Sequence, residues 1–492
     1  MIKGTIEKRT IRVIELMGVN LLGGVLSFFL SSSWKGRSLN LILLFCVYLV
    51  IYVWLKKDKK VEFLIICIWQ YTLMMETIYR FVRYERTPFE TYYIFDALCI
   101  IFSMEMFVKY GIETIRRDVG IIVYSILLLF GGISFLANRS SFYDFLNGTL
   151  LIIKYLGMYL YFSHNGFRTS RLLKYFFVLS MIAFSIEVGL KINVDFRNGL
   201  FGYEYTGGLF SLLLASWSAV SLIYVLYKKK KWIVFLACFV VSELCLILMD
   251  SKAEIILYGV WVFSSFLLLK QKGTHGRKIL GVVASIGGIA TIWTIYTAKV
   301  TKFTHLEGTS IFGAIKYRLS GTNTIKNDSF SAIVLNEKLS WWKRTIGAGL
   351  GSAIPPRYVN WVLKNGKRAS ELFNIPKYSA VFEKYFSTRY YNMFGVSINY
   401  IRYDIGYLGI IILIILDAIL IYRIVRVIRM EKIQNRIIGI IALWQFISIN
   451  FRIINNNFIV QQLPMAISYV IFGMVTFMAS SKTDSRNTMC ES

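Results

Sequence analysis

Long apolar runs recur along almost the whole chain and constrain its fold more than any other feature of the sequence. Runs of about 17 to 25 mostly apolar residues are long enough to cross a hydrocarbon layer of ~30 Å as helices. Hydrophobic residues make up 56% of the chain and charged residues 17%, against about 25% charged in soluble globular proteins. The runs lack the alternating pattern of a membrane barrel, so helices are the expected spanning elements.

We therefore predict an all-α polytopic membrane protein with about 14 transmembrane helices, in a range of about 12 to 14. The predicted spans cover residues 11–30, 38–55, 61–79, 91–108, 119–137, 143–162, 172–190, 204–227, 232–249, 253–269, 279–297, 404–422, 437–452 and 458–479. The first run lacks a clear small-residue cleavage site, which favours a retained span over a removed signal peptide.

These spans divide the chain into four segments. Residues 1–298 form a membrane domain with spans 1–11, and residues 299–403 form a large extracytoplasmic loop. Residues 404–480 form a second membrane domain with spans 12–14, and residues 481–492 form a cytoplasmic tail.

Basic residues are concentrated in the links between the apolar runs. Lys and Arg number 56 against 28 Asp and Glu, which gives a formal net charge of +28. Counted from a cytoplasmic N-terminus, the inside links hold about three times as many Lys and Arg as the short outside links, as the positive-inside rule requires. The pattern predicts cytoplasmic termini and an outer large loop, and it favours topology and anionic lipid over nucleic acid as the reason for the charge.

The six cysteines show neither a disulfide framework nor a metal-ligand spacing. Five lie within apolar spans and Cys490 lies in the tail. We accordingly expect no metal and no cofactor.

The 299–403 segment is the one long polar interval of the chain. Between residues 299 and 402 it holds sixteen Lys or Arg against five Asp or Glu. Apolar side chains recur at helical spacing from Phe330 to Trp342 and again from Ser370 to Phe386, with prolines between the two stretches. We predict short helices that form a cap on the membrane surface.

Glycines punctuate the same segment in Thr345-Ile-Gly-Ala-Gly-Leu-Gly-Ser352. A phosphate loop would follow a strand and end in Lys-Ser or Lys-Thr, and this stretch does neither. We predict instead that its glycines permit a close turn against the cap.

Ionisable residues inside the predicted spans are candidates for function because a charge in lipid is energetically unfavourable. They include Glu15, Glu76, Asp96, Glu105, Lys154, Glu187, Glu243 and Asp417. Several lie near span ends or beside basic links, where they can reach water or a partner. We favour a structural role for each of them.

Three basic residues on the predicted outer face are more informative. Arg197 lies just before an apolar span, Lys252 lies in a very short link, and Arg318 lies inside the large loop. Each could be an ordinary interfacial cation that meets lipid phosphate. Fixed positive charge would equally stabilise the oxyanions of a departing diphosphate, for which Arg adds bidentate geometry.

Four motifs follow one another in the order Arg197-Asn-Gly-Leu-Phe-Gly202, Ser251-Lys-Ala253, Gly347-x-Gly-x-Gly351 and Asp404-Ile-Gly-Tyr-Leu-Gly409. Their order and topology resemble the O-antigen polymerase and O-antigen ligase superfamily. Members of that superfamily are bacterial multi-pass glycosyltransferases that use undecaprenyl-diphosphate-linked sugars.

The resemblance implies that Arg197 and Arg318 contact the diphosphate of the donor. We add Lys252 and Arg402 to the same predicted binding set. It implies chemistry on the outer face of a bacterial plasma membrane, without a nucleotide sugar or a metal. The implied partners are undecaprenyl-diphosphate-linked oligosaccharide, membrane lipid and a chain-length regulator protein, and no nucleic acid.

The chain departs from the family at two points. The family often has Ser-Arg where this chain has Ser251-Lys252, which keeps the charge and loses the fork geometry. Ligases carry a histidine shortly before the acidic-x-Gly-x-x-Gly element, whereas residues 395–402 contain none. The missing histidine favours a polymerase over a ligase.

The group that accepts the proton of the acceptor hydroxyl is open. The candidate bases are Asp404, Glu383 and His305 in that order, and a diphosphate oxygen of the substrate could take the role instead. Asp404 leads because it can approach Arg197 and Arg402 at the membrane boundary. A salt-bridged carboxylate at a helix start is an equally good interpretation of Asp404.

A flippase for lipid-linked oligosaccharide is the main alternative to a polymerase. It can have as many spans, but it needs no large outer loop, and the chain shows no pair of similar halves of the kind that many transporters have. A ligase that transfers finished glycan to another acceptor is the third hypothesis.

Overall fold

The computed structural model describes residues 45–55, 60–61, 63–64, 90–139, 142–165, 215–223, 242, 252–269, 340–347, 349–350, 397–455 and 462–490. Every regular element in these ranges is a helix, which confirms the predicted all-α class. The total of about 14 spans and the large loop remain predictions, because much of both lies outside the described residues.

The labelled helices are α1 (Glu90–Met106), α2 (Ile112–Arg117), α3 (Val119–Asn138), α4 (Phe142–Ile153), α5 (Leu156–Asn165), α6 (Lys252–Leu268), α7 (Trp341–Ile346), α8 (Ser397–Ile428), α9 (Ile433–Asn455) and α10 (Gln462–Cys490). A π-helical turn, Phe107–Gly111, joins α1 to α2. Residues 45–54 and 215–223 are also helical.

Two helical stretches, Val119–Asn138 and Asp404–Ile428, are long and apolar enough to cross a membrane. A helix this apolar in a soluble protein would be buried, yet only 28% and 11% of their apolar windows are. On α8, Ile411, Ile414 and Ile415 lie three and four residues apart and are 52%, 61% and 46% exposed. Such an exposed apolar face is suited to lipid, and it indicates a membrane protein.

The helices α3 and α8 pack against each other in antiparallel directions. Asp118, just before α3, bonds to Arg423 in the last turns of α8. At the opposite end, Ser134 in the last turns of α3 bonds to the backbone of Asp404 near the start of α8. The pair therefore has two ends that can be compared directly.

The ends of α3 are fixed by local chemistry. The Asp118 carboxylate accepts a hydrogen bond of 2.8 Å from the Gly120 N–H, which makes it the N-cap. Arg139 takes a left-handed conformation with φ of 50°, and its N–H bonds back to carbonyls of the last turn.

The main core lies between α1, α5, α6, α9, α10 and the 45–54 segment. The helix α5 packs against α10 and α1, while α9 packs against α8 and α6. Gly157 of α5 lies so close to α1 that a Cβ there would be 2.5 Å from the Cα of Ser103. Small residues permit this close backbone approach between membrane helices.

The predicted sixth span, 143–162, is not one continuous helix. It is broken at Lys154 and Tyr155 into α4 and α5. The Ser103 hydroxyl occupies the break, because it donates to the Lys154 carbonyl and accepts from the Gly157 N–H, both at 2.8 Å. This hydroxyl replaces intrahelical hydrogen bonds that the break removes.

Several other boundaries differ from the prediction. The helix α9 is longer than the predicted span 437–452, and α10 continues beyond 479 to Cys490. Helical spacing predicted one helix through Trp342, whereas Ser340 is an N-cap with extended backbone and α7 begins at Trp341. The hydroxyl of Ser340 accepts from the Lys343 N–H and so starts the helix there.

Candidate functional site

The glycine-rich turn packs directly against a break in α8. We call this contact the glycine junction and define it by Gly347, Gly349 and Leu350 of the turn and Gly406 of α8. The short helix α7 leads into it and packs against both α8 and α3. The junction joins two stretches that are more than fifty residues apart in the chain.

Two glycines with unusual backbone angles make the junction possible. Gly347 has φ 86° and ψ 178°, and Gly406 has φ 63° and ψ −164°. Both conformations belong to a region that is essentially restricted to glycine. Gly347 ends α7, and Gly406 interrupts α8.

The two glycines also lie against each other's backbone neighbours. A Cβ on Gly347 would be 2.3 Å from the carbonyl oxygen of Asp404, and a Cβ on Gly406 would be 2.5 Å from the Gly347 nitrogen. Real Cβ atoms do not approach other atoms so closely. The contact is therefore backbone against backbone, and a side chain at either position would separate the two segments.

Hydrogen bonds join the turn to both helices. The Gly349 N–H donates to the Asp404 carbonyl at 3.1 Å. The Asn138 amide donates to the Gly347 carbonyl at 2.9 Å and to the Ser134 carbonyl at 2.8 Å. The Ser134 hydroxyl lies 3.5 Å from the Asp404 carbonyl, at the limit of a hydrogen bond. Asn138 thus ties the end of α3 to the turn.

An apolar cluster lies next to these polar contacts. Leu350 packs with Leu127 of α3 and with Ile405 and Ile412 of α8. Leu350 also fits against Gly131, where a Cβ would come within 3.3 Å of its side chain. The turn is thereby held on the helix pair by a buried leucine as well as by hydrogen bonds.

Charged residues adjoin the junction along the chain. Arg402 and Asp404 are each only 8% exposed. The Arg402 guanidinium donates to the Tyr407 hydroxyl at 2.7 Å and lies 4.8 Å from the centre of that ring. Lys343 and Arg344 lie in the last turn of α7, immediately before Gly347. Three cations and one carboxylate therefore belong to the segments that meet at this end of the helix pair, a composition that suits an anionic ligand.

The structure brings together two of the predicted site residues, Arg402 and Asp404, and places the glycine turn beside them. Lys252 begins α6, but its side chain lies outside the description. The remaining predicted residues, Arg197, Arg318, Glu383 and His305, lie outside the described residues. Their proximity to Asp404 remains a prediction.

The glycine turn contacts α3 and α8 in the part of the chain that the structure describes. The sequence had predicted that it would turn against the cap. Sequence reasoning also missed Asn138 and Ser134. The available signal was local: two polar residues, one helical turn apart, close an otherwise apolar run. Such residues have a partner across the helix interface when the chain is packed.

A second polar cluster lies at the break between α4 and α5. The Lys154 ammonium, 2% exposed, forms an ion pair of 3.0 Å with Asp96 of α1. The hydroxyls of Tyr124 and Tyr469 both donate to the Ile152 carbonyl, at 2.7 and 2.9 Å. The two charges are thus paired and the carbonyl is satisfied, and the structural role that we predicted for these intramembrane residues stays a prediction.

Within the residues that the structure describes, no group of three His, Cys, Asp or Glu could hold a metal ion. The chain matches no family model, no curated protein and no solved structure.

Proposed function

We propose that this protein is a glycosyltransferase that polymerises undecaprenyl-diphosphate-linked oligosaccharide repeats on the outer face of a bacterial plasma membrane. One observation carries the proposal: the Gly347-x-Gly-x-Gly351 and Asp404-Ile-Gly-Tyr-Leu-Gly409 motifs, identified separately in the sequence, meet at one junction. Cations and a carboxylate accompany them there.

In the proposed reaction, a hydroxyl of the incoming repeat attacks the anomeric carbon of the sugar at the reducing end of the growing chain. A new carbon–oxygen bond forms as the bond to the lipid diphosphate breaks, and the diphosphate leaves with both bonding electrons. Arg402 and the cations of α7, together with Arg197, Lys252 and Arg318, would stabilise the negative charge of this leaving group.

The hydroxyl proton needs an acceptor during the attack. Asp404 is our first candidate, ahead of Glu383 and His305, and a diphosphate oxygen is the alternative acceptor. Asp404 and Arg402 lie two residues apart beside the glycine junction, and the proposal places this carboxylate and this cation on one wall of the site.

The packing of the helices supports the proposed topology. Asp118, Arg423 and Thr476 meet at one end of the bundle, and all three fall at predicted cytoplasmic span ends. Asn138, Gly347 and Asp404 meet at the other end, and all three fall at predicted outer positions. A single antiparallel arrangement therefore satisfies both sets of contacts.

The lipid-linked oligosaccharide profile of a deletion strain tests the proposal. We expect single lipid-linked repeats to accumulate on the outer leaflet and the polymer to disappear. Arg402→Ala and Asp404→Asn should each reduce polymer strongly at normal protein level, while Lys482→Ala, a matched loss of one charge near the C-terminus, should not. Near-normal polymer in both site variants would remove our assignment of the site.

The topology has a separate test in cysteine labelling. A cysteine at Ser352→Cys should react with an impermeant reagent in intact cells. Labelling only after permeabilisation would place the glycine junction on the cytoplasmic side and exclude the proposed site.

A flippase is the second candidate, and the buried Lys154–Asp96 pair at a helix break is the observation that favours it. Broken helices with buried polar groups are typical of transporter substrate sites. The deletion strain separates the two functions: repeats retained in the cytoplasmic leaflet would identify a flippase. Lys154→Met should abolish translocation in that case.

A further inference from the structure

The end of the α3–α8 pair opposite the glycine junction is closed by a buried polar network. The Arg423 guanidinium bonds to the Asp118 carboxylate and donates to Tyr159 and Thr476 at 3.2 and 3.0 Å. The Tyr159 hydroxyl in turn donates to Asp118. We call these four residues the ionic clamp. The clamp joins two stretches that we call the links: residues 109–118, which precede α3, and residues 423–436, which begin in the last turns of α8.

Basic side chains lie beside the clamp in both links. Arg116 and Arg117 immediately precede Asp118, and Arg426, Arg429 and Lys432 follow Arg423. All five are exposed or half-buried. Glu113, which pairs with Arg117 at 2.9 Å, and Glu431 are the exposed acidic residues in the same two links, so cations remain in excess there. Arg423 and Asp118 neutralise each other and add nothing to this excess.

Exposed apolar side chains lie next to these cations. Val119 follows Asp118 directly and is 56% exposed, and Tyr422 precedes Arg423 and is 66% exposed. Ile112 and Ile433 are likewise exposed beside the cations of their links. On helices suited to lipid, this mixture marks the depth at which hydrocarbon gives way to phospholipid headgroups.

We infer that the five cations, Arg116, Arg117, Arg426, Arg429 and Lys432, form a binding surface for the headgroups of anionic phospholipids. Clusters of Lys and Arg next to a membrane helix attract anionic lipid electrostatically. The neighbouring apolar side chains hold the surface at the lipid boundary. A soluble acidic partner would not require exposed apolar side chains beside the cations. The ionic clamp keeps the two links together, so that the cations of both can contribute to one surface. The inference does not depend on the proposed glycosyltransferase activity.

Spin-labelled lipids test the surface. The purified full-length protein is placed in phosphatidylcholine vesicles with a trace of spin-labelled phosphatidylglycerol or spin-labelled phosphatidylcholine. The motionally restricted fraction of each label is then measured by electron paramagnetic resonance. We expect a larger restricted fraction for phosphatidylglycerol than for phosphatidylcholine. The triple variant Arg426→Gln, Arg429→Gln, Lys432→Gln should lower this preference by roughly five-fold per charge removed.

The control removes three cations from the predicted outer side, by Arg139→Gln, Lys302→Gln and Lys326→Gln, none of which belongs to the proposed diphosphate site. That variant has the same net charge and should keep more of the preference than the first. Equal loss in both variants would overturn the assignment, because net charge alone would then explain the result.

Two further measurements distinguish lipid phosphate from free phosphate and keep the test usable if the variant misfolds. Inorganic phosphate should displace spin-labelled phosphatidylglycerol no better than chloride at equal ionic strength, and selective displacement would show a free-phosphate site instead. If the triple variant does not fold, the wild-type preference is measured against salt. It should fall as salt rises, and a salt-independent preference would refute the electrostatic surface.

Discussion

The two ends of the antiparallel α3–α8 pair are closed by different chemistry. At one end, the backbones of Gly347 and Gly406 touch, and few side chains take part. At the other end, the ionic clamp of Asp118, Arg423, Tyr159 and Thr476 joins four helical segments through charged and hydroxyl groups. Both ends connect segments that are distant in the sequence.

The two kinds of closure differ in their chemistry and in the ligand role that we propose for each end. A buried ion pair that loses one partner leaves an uncompensated charge, so the clamp is sensitive to removal of either charge. The glycine junction instead depends on neutral hydrogen bonds and one buried leucine, each of which is weaker. It also leaves Arg402, Asp404 and the cations of α7 at the same end. This is the end at which we propose that the substrate binds.

The largest expected effect comes from adding a methyl group inside the junction. Gly347→Ala and Gly406→Ala would each introduce about 1–3 kcal/mol of backbone strain. The added Cβ would also overlap backbone atoms only 2.3 and 2.5 Å away, which no side-chain movement can relieve, so the total loss should exceed that of the clamp variants below. We expect both variants to lose polymer and to unfold at lower denaturant in detergent micelles.

Gly132→Ala is the matched control for these glycine variants, because a Cβ there meets nothing within 4 Å. Alanine should leave stability unchanged or raise it by up to about 1 kcal/mol, since Gly132 lies inside α3. If Gly406→Ala were as stable as Gly132→Ala, the description of α8 as broken at Gly406 would be contradicted.

The next effect comes from removing one charge of the clamp. Asp118→Asn or Arg423→Met should lower the free energy of unfolding by about 3–5 kcal/mol, because the remaining charge is buried without its partner. The measurement is denaturation in mixed micelles followed by circular dichroism.

The exposed pair between Arg117 and Glu113, 2.9 Å apart, provides the comparison. Glu113→Gln should change the free energy of unfolding by less than about 1 kcal/mol, as water already screens this pair. Equal losses in Asp118→Asn and Glu113→Gln would show that the clamp is not buried.

A smaller effect is expected from Asn138, which ties α3 to the glycine turn. Asn138→Ala removes two hydrogen bonds and should lower the free energy of unfolding by about 1–2 kcal/mol. Asn138→Asp should do more damage than alanine, because it places a carboxylate against the Gly347 and Ser134 carbonyls. The same unfolding assay ranks the two variants, and the reverse order would contradict the donor role of the amide.

The smallest effect is expected at Ser134. Its hydroxyl lies 3.5 Å from the Asp404 carbonyl, which is too long for a strong bond. Ser134→Ala should therefore change the free energy of unfolding by less than about 0.5 kcal/mol in the same assay. A larger loss would show that the hydroxyl closes onto Asp404 more tightly than the structure indicates.

Sequence reasoning was most reliable where the signal was local. Apolar runs predicted α3 and the membrane-spanning part of α8 within a few residues, because spanning length and composition determine such helices. Sequence reasoning failed where a residue outside the apolar pattern decided where a helix begins or breaks. The break at Lys154 depends on Asp96 and Ser103 of another helix, and the N-cap at Ser340 overrode the apolar spacing that continued to Trp342.

The sequence by itself determined the helical membrane class and singled out Arg402, Asp404 and the glycine turn, because hydrophobic length and residue type are readable along the chain. Only the tertiary structure decided that Gly347 faces Gly406, that Asn138 bonds to the turn, and that Asp118 pairs with Arg423. These contacts depend on how antiparallel helices pack at close range. No periodicity within one segment encodes which residue of another segment will lie against it.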